Sequence, residues 1–430
     1  MNVLIIGNGG REHALAYKIA QSPKLDKLYI MPGNAGCAEY GECVADVDTA
    51  NLGAVVVWAK QHHIDFVVPG PEAVLCAGVV NALRDAGIKA FGPTKEAAEL
   101  ESSKYFAKDL MRLNGIPTAD FAMFEQSEKA FAYLDAREEG PLVVKADGLA
   151  AGKGAIVCDN LAQAREAVKR CMVDKEFGEA GSRVVIEEFL SGEEVSVLAL
   201  TDGKTIAPLA SAQDHKAVFD GDKGPNTGGM GAYSPAPLLT DALLDQVIET
   251  ILVPTVHAMN NCGRRFRGVL YAGLMITRGG PKVLEYNMRF GDPETQPILM
   301  RLDCDLLELL EAVADGHLDK MEINWKDEAA VGVVMASAGY PGKYEKGKEI
   351  TGLEALKGRD DVKVFHAGTA AKQGKVVTSG GRVLCVTALG ADIPAAIKNA
   401  YDAVGQIHFD GAQYRKDIAQ KAVRRLQGQK

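Results

Sequence analysis

Glu285, Asn287 and Arg289 recur at every second position of Glu285-Tyr286-Asn287-Met288-Arg289, the spacing that places side chains on one face of an extended strand. Two hard oxygen donors and a guanidinium then point the same way. Such oxygens suit a Mg²⁺ ion bridging nucleotide phosphates, and the planar fork of an arginine suits a carboxylate or a phosphate better than lysine does. An amphipathic strand explains three polar residues on one face. It does not explain the Gly291-Asp292-Pro293-Glu294 that follows.

Four other segments have residue types that could do chemistry. Lys145-Ala146-Asp147-Gly148-Leu149-Ala150-Ala151-Gly152-Lys153-Gly154 fails as a Walker loop, because Gly148 and Gly152 are one residue too close and Gly154 replaces the Ser or Thr that would hold magnesium. Two lysines flanking Gly and Ala would still suit a lid over a triphosphate; the alternative is a surface hairpin with solvated lysines. Glu187-Glu188-Phe189-Leu190-Ser191-Gly192-Glu193-Glu194 reads as a hairpin tip. Functionally it would be an adenosine clamp, with backbone around Phe189 on the adenine edge and Glu194 accepting from ribose hydroxyls. Gly7-Asn8-Gly9-Gly10 opens like a dinucleotide fingerprint, but Glu12 stands at the third glycine. What survives is a turn at a helix N-terminus, either an anion seat or a plain tight turn. Asp214-His215-Lys216 lies just before Asn226-Thr227-Gly228-Gly229-Met230-Gly231, charged groups beside bare backbone that suit a polar, phosphorylated small substrate. His215 is equally well read as a satisfied structural residue.

These residues need elements to position them. Apolar runs and helical patterns alternate from the start: strand 2–6, the glycine turn, a helix through Leu15 and Ile19, strand 28–31, helix 52–61, strand 66–68, helix 73–86 and strand 89–91. This predicts a parallel sheet covered by helices, with ligands beyond the carboxyl ends of the strands, where the loops 7–10 and 69–72 emerge. Helix 102–114 ends before Gly115-Ile116-Pro117, which places a boundary near residue 102. An α+β subdomain follows: helix 128–138, strand 142–145, the glycine loop, strand 155–158, helix 161–171, and strands 184–188 and 194–200. Segment 211–235 lacks periodicity and is expected to be a long functional loop. A helix carrying Leu244, Ile248 and Leu252 is kinked or restarted at Pro254. Strands 269–277 and 282–287 pair through Gly279-Gly280. After Trp325, strands 331–337 and 382–389 and a helix capped by Asp392 indicate a final small domain.

Composition narrows the function classes. The chain has 430 residues, 48 Lys+Arg against 57 Asp+Glu and a net charge of −9, so it lacks the basic footprint of a protein that grips nucleic acid by its phosphates. Its eight cysteines are scattered without zinc-ligand spacing, which fits a reduced compartment. No uninterrupted apolar run approaches the ~20 residues of a membrane span. A soluble cytoplasmic protein is expected, with neither nucleic acid nor membrane as partner.

Taken together, NGGREHALA from Asn8, GPE from Gly70, KADGLAAGKG from Lys145, IEEFLSGEE from Ile186, QDHK from Gln213, GPNTGGMGAYSP from Gly224 and RFGDPETQP from Arg289 resemble the glycinamide ribonucleotide synthetase family of the ATP-grasp superfamily. The resemblance runs through essentially the whole chain in order. QDHK followed by GPNTGGMGAYSP is its most specific part, since the other motifs are shared with further ATP-grasp ligases. It implies a multidomain α/β and α+β fold: a Rossmann-like parallel sheet over 1–102, an ATP-grasp core over 103–325 with a mobile lid at about 120–190, and a small α+β domain over 326–430. The activity implied is ATP-dependent ligation of glycine to 5-phosphoribosylamine through glycyl phosphate, giving glycinamide ribonucleotide, ADP and phosphate in purine synthesis. The alternative is another carboxylate–amine ligase of that route. The missing third glycine argues against a dinucleotide-dependent oxidoreductase.

By the same resemblance, Lys104, Lys145, Gly152, Lys153, Glu187, Glu188, Phe189, Leu190 and Glu194 bind ATP, and Glu285 and Asn287 bind Mg²⁺ or Mn²⁺. Asn8, Gly9, Gly10, Glu72, Asn226, Thr227, Gly228 and Gly229 bind the small substrates, with Asp214, Lys216 and Arg289 at the reacting ends. A monomer, or a weak homodimer, is implied. Ser102, Met288 and Ala217 depart from the usual family pattern. The strand position where many ATP-grasp enzymes offer a third carboxylate reads Ala272-Gly273-Leu274, so phosphates and water are expected to complete the metal's shell.

Overall fold

The N-terminal alternation folds as a five-stranded parallel sheet in the spatial order Glu42–Cys43, Lys27–Pro32, Asn2–Gly7, Phe66–Pro69, Lys89–Ala90. The structure is a computed structural model that describes residues 1–149 and 154–428. The central strand is apolar and buried from Val3 to Ile6 because helices cover both faces. Val3 and Ile5 join a cluster with Leu15 and Ile19 on one side, while Leu4 and Ile6 join Val55 and Leu83 on the other. Each of these fully buried side chains contributes roughly 1.5–3 kcal/mol.

Two antiparallel sheets follow. One has the order Phe121–Phe124, Val184–Glu188, Leu142–Ala146, Ala155–Cys158, and the other Ile206–Pro208, Glu193–Thr201, Gly268–Thr277, Gly280–Asn287. In the last strand Val283 faces Leu274 and Glu285 faces Gly273, so Leu284 is an extra residue in a bulge. Thr118 bridges to Val283 and ties the two sheets together.

Segment 211–235 is not the irregular loop expected. Gln213–Asp214 and Gly231–Ser234 are strands of a six-stranded sheet completed by Ala329–Ser337, Arg382–Gly390 and Val362–His366, with Ala412–Gln413 alongside. Ala217–Phe219 and Lys223–Asn226 pair as a hairpin. These strands are too short and glycine-rich for periodicity to reveal, and Gly231–Ser234, which joins them to the sheet, pairs with Ala329–Ser337 about a hundred residues away. Gly231 is required where it sits: its φ is +153°, and a Cβ there would lie 2.6 Å from the carbonyl oxygen of Gly332 on the neighbouring strand.

Pro254 neither breaks nor restarts its helix. Asp241–Val247 continues through a π-turn at Ile248–Leu252 into Val253–Asn261, the wider turn absorbing the missing N–H. By length and composition the Asp241–Asn261 helix could cross a membrane, but Val247, Ile251, Leu252, Val256 and Met259 are packed in the largest core cluster. Asp392 caps the Ile393–Val404 helix, accepting the Ala395 N–H at 2.8 Å.

Candidate active site

A cleft of about 540 Å³ opens where the three regions meet. Its walls include Glu72, Lys104, Lys145, Glu187, Glu188, Phe189, Leu190, Glu194, Asp214, Lys216, Asn226, Thr227, Gly228, Glu285, Asn287 and Arg289, so most of the expected site residues share one space. Asn8, Gly9, Gly10 and Gly229 do not line it. Gly152 and Lys153 lie outside the described residues.

One end is cationic. Lys104 begins the helix Lys104–Leu113 and donates to the carbonyl of Gly148 at 3.0 Å. Lys145 donates to Leu284 O at 2.8 Å and lies 3.0 Å from the Glu187 carboxylate. Lys108, missed in the sequence reading, stands 3.1 Å from the same carboxylate and bonds Thr118 Oγ1 at 2.7 Å. Burial pushes the Lys108 ammonium down to about 8; Glu187 pulls it up and Lys145 pushes it down. The signal for Lys108 was available, since it follows Lys104 by four residues and so shares its helix face. Glu187 thus uses its carboxylate to hold two lysines. Glu188 likewise turns its side chain to the Asp120 N–H, at 3.0 Å, and to Lys282, at 2.9 Å, which leaves the backbone of this segment and the exposed Phe189 toward the cleft.

The oxygen donors line the same cleft. Burial would raise the Glu285 carboxyl, yet Lys216, Lys145, Lys104 and Arg289 hold it below its ordinary value. The residue borders open space in the cleft, and among the described residues its carboxylate has no direct partner. Asn287 Oδ1 accepts from Arg289 Nη2 at 3.0 Å. Arg289 is gripped by Glu72, at 3.3 Å, and by Glu101, at 3.2 Å, and Glu101 also accepts the Met288 N–H at 2.7 Å. Burial lowers the Arg289 guanidinium's affinity for its proton, but Glu101 and Glu72 raise it further. No group of three His, Cys, Asp or Glu among the described residues is arranged to hold a metal. An ionised Glu285 and the Asn287 carbonyl therefore fit a divalent cation whose other ligands come from outside the protein.

At the far end, burial and then Glu294 raise the Asp214 carboxyl well above its ordinary value, and its Oδ1 is buried with no partner among the described residues. Glu294 is fixed by Ser196 and Tyr271 at 2.9 and 2.5 Å. Lys216 pairs with Glu194 at 2.6 Å; Glu194, Glu285 and Asp214 raise it despite burial. Thr227 Oγ1 donates to Lys216 O at 2.8 Å and accepts the Gly229 N–H at 2.9 Å. Gly229 is packed away from the cleft, where an added Cβ would meet Pro293 Cδ at 2.3 Å. His215 points elsewhere, buried beside Tyr233, and is not the satisfied residue of the structural reading, since neither ring nitrogen has a partner among the described residues.

The Gly7–Gly10 turn also differs from an open anion seat. The Gly9 N–H donates to Glu12 at 2.6 Å, and the Asp292 carboxylate lies beside Gly9 and Gly10. Glu12, at the position of the fingerprint's third glycine, takes that N–H. Two cleft residues had no local signal at all: Tyr340 and Arg382, both from the C-terminal region.

Family models for the N domain, the ATP-grasp (A) domain and the C domain of phosphoribosylglycinamide synthetase match residues 1–101, 102–295 and 330–421. The chain is 54% identical over 428 residues to the phosphoribosylamine–glycine ligase of Rhodopirellula baltica, covering 98% of each. It is 53% identical over 429 residues to that of Pasteurella multocida, covering 99% of each. The crystal structure of the Thermotoga maritima phosphoribosylamine–glycine ligase matches with a TM-score of 0.83 and 35% identity, over 97% of this chain and 100% of that one. A biotin carboxylase domain from Hydrogenobacter thermophilus, solved with MgADP, matches at 0.74 over 96% of this chain and 91% of its own, and at 15% identity shares the fold alone. The chain belongs to the phosphoribosylglycinamide synthetase family.

Proposed function

We infer that the chain is an ATP-dependent carbon–nitrogen ligase that joins glycine to 5-phosphoribosylamine, forming glycinamide ribonucleotide, ADP and phosphate in purine biosynthesis. The observation that carries this reading is the single cleft whose lining includes Glu285, Asn287, Lys104, Lys145, Asp214, Lys216 and Arg289. The family membership supports the same activity.

A carboxylate resists attack by an amine because oxide is a poor leaving group. In the reaction proposed, the glycine carboxylate attacks the γ-phosphate in line to give glycyl phosphate. The phosphoribosylamine nitrogen then attacks its carbonyl and phosphate departs. Phosphoryl transfer asks mainly for positioning and charge neutralisation. Lys104 and Lys145 supply fixed positive charge for the phosphates, and Phe189 and Leu190 an apolar edge for the base. A divalent cation held by Glu285 and Asn287 would, when bound, neutralise phosphate charge. Arg289, preset by Glu72 and Glu101, faces the reacting carboxylate, and Asp214 and Lys216 flank the acceptor. No covalent enzyme intermediate is required. Acyl phosphates hydrolyse readily, so closing the sheet that carries Lys145 and Glu187 over the cleft would serve to exclude water. The eight free cysteines support a reducing, cytoplasmic setting.

The test is ADP release with freshly generated phosphoribosylamine, glycine and MgATP, omitting each in turn. The reading requires all three. Turnover that ignores phosphoribosylamine but accepts another amine nucleotide would assign the chain to a different ligation.

A further inference from the structure

We propose that Arg382, contributed by the C-terminal sheet, is a positioning residue for the small-substrate end of the cleft, holding the Gly228-Gly229 turn and Asp292 in their working arrangement. The inference rests on the ligase reading above. Arg382 opens the strand Arg382–Gly390, and its side chain reaches out of that sheet into the cleft wall. Its Nη1 donates to Gly228 O at 2.6 Å and to Asp292 O at 2.8 Å, with Gly229 O at 3.4 Å, and Nη2 lies 3.3 Å from the Asp292 carboxylate. One guanidinium therefore joins two loops distant in sequence.

Neither loop is held by its own secondary structure. The glycine turn lies between the strands Lys223–Asn226 and Gly231–Ser234, and Asp292 lies between the strand Gly280–Asn287 and the helix Thr295–Arg301. Carbonyls converging from separate loops need a donor with several N–H groups in a fixed plane. Arginine provides that; the point charge of lysine does not. Tyr340, from the same region, closes the other side of the turn by accepting the Gly228 N–H at 3.2 Å. The arrangement reaches further, because the Asp292 carboxylate accepts from Gln296 at 2.9 Å and lies beside Gly9 and Gly10 at the start of the N-terminal helix. The turn held by Arg382 also sits against the buried Oδ1 of Asp214, 2.7 Å from where a Gly229 Cβ would lie. Among the described residues, the nucleotide end around Lys104 and Lys145 shares no bond with Arg382.

The test compares the full chain with Arg382→Ala, Arg382→Lys and Tyr340→Phe. Arg382→Ala is expected to raise KM for glycine and phosphoribosylamine by about tenfold or more, as misplacement of a binding loop does. ATP affinity, measured without the small substrates, should change less than about twofold, and more ADP should form per molecule of product. Arg382→Lys should restore the thermal midpoint without restoring KM, and Tyr340→Phe should shift the same constants in the same direction by a smaller factor. Unchanged small-substrate constants and coupling in Arg382→Ala would overturn the proposal. So would an equal loss of ATP and small-substrate binding that Arg382→Lys fully repairs, which marks a merely structural role. Failure of the unmodified chain to release ADP with glycine and phosphoribosylamine would instead count against the ligase reading.

Discussion

The Lys145 ammonium donates at 2.8 Å to the carbonyl of Leu284, the one residue in its strand that the bulge leaves without a partner in the ladder. The irregularity and the lysine are thus one device: the extra residue frees a carbonyl to anchor Lys145, and the strand then resumes with Glu285 facing the cleft. The Glu187 carboxylate, on the neighbouring strand of Lys145's own sheet, holds the same ammonium, with Lys108 beside it. The positive wall and the oxygen donors of the cleft are therefore fixed to each other across two sheets before any nucleotide arrives, the preorganisation that electrostatic catalysis needs.

Glu285 faces the cleft with no direct partner among the described residues, and four cations keep it ionised. Glu285→Ala should leave the fold intact, with circular dichroism and thermal midpoint near those of the unmodified chain. The Mg²⁺ concentration needed for half-maximal turnover should rise by at least about 100-fold, since lost ligands cost more than the 10–100-fold typical of residues that only orient them. Turnover near normal at ordinary Mg²⁺ would remove this residue from the metal site.

Lys104 predicts a split between stability and activity. Burial lowers its proton affinity and Lys145 lowers it further, while Glu285 opposes both. Its one hydrogen bond among the described residues is to Gly148 O. Lys104→Met removes a half-buried charge whose desolvation outweighs the attraction of Glu285, so urea unfolding should show a gain of about 1 kcal/mol. ATP affinity should fall by about tenfold or more, the loss of a charged hydrogen bond of about 1.5 kcal/mol. Loss of stability together with unchanged ATP affinity would make Lys104 a structural residue.

Much of this arrangement was legible because it is local. Alternation in the first ninety residues predicts the parallel sheet, and the two-residue spacing of Glu285 and Asn287 puts both on one strand face. Arg289 differs: it lies past the end of that strand, and Glu72 and Glu101, both from before residue 102, set its direction. The strands at Gln213–Asp214 and Gly231–Ser234 were hidden because they are short and are held in place by the pairing of Gly231–Ser234 with Ala329–Ser337 rather than by their own periodicity. Arg382 and Tyr340 were hidden for the same reason. Nothing in Gly380-Gly381-Arg382 marks it as part of a cleft until the sheet brings it against Gly228. Glu12 looked like a failed glycine, and proves to be the acceptor for the Gly9 N–H.

His215 sets part of the acid limit of stability. Burial pushes its imidazole from 6.5 down to about 3, with Arg415 and Lys421 adding to the shift and Asp222 and Asp417 opposing it. Between those values the unfolded chain binds a proton that the folded chain refuses. The contribution is fully present above pH 6.5 and is lost as pH falls toward 3, amounting to about 2 kcal/mol between pH 6.5 and 5. Both ring nitrogens lack partners among the described residues, so His215→Phe sacrifices no hydrogen bond there. The variant should unfold less readily at pH 5 relative to pH 7 than the parent. An unaltered acid limb would mean that His215 is not the residue responsible.

The two-step chemistry makes its own prediction about the fate of an oxygen atom. If glycine is activated as glycyl phosphate, one carboxylate oxygen becomes the bridge to phosphorus and leaves with the phosphate when the amine attacks. Glycine carrying heavy oxygen in its carboxylate should therefore transfer one label to each inorganic phosphate formed, read by mass spectrometry of the phosphate, while the amide keeps the other. Activation through an adenylate would instead put the label in AMP, and direct hydrolysis of ATP would leave phosphate labelled only from water. The placement of Lys104, Lys145 and Glu285 around one space, with Arg289 next to Asn287, suits attack at the terminal phosphate of a bound nucleotide. Unlabelled phosphate accompanying stoichiometric product would exclude the acyl phosphate route, whatever the residues around it contribute.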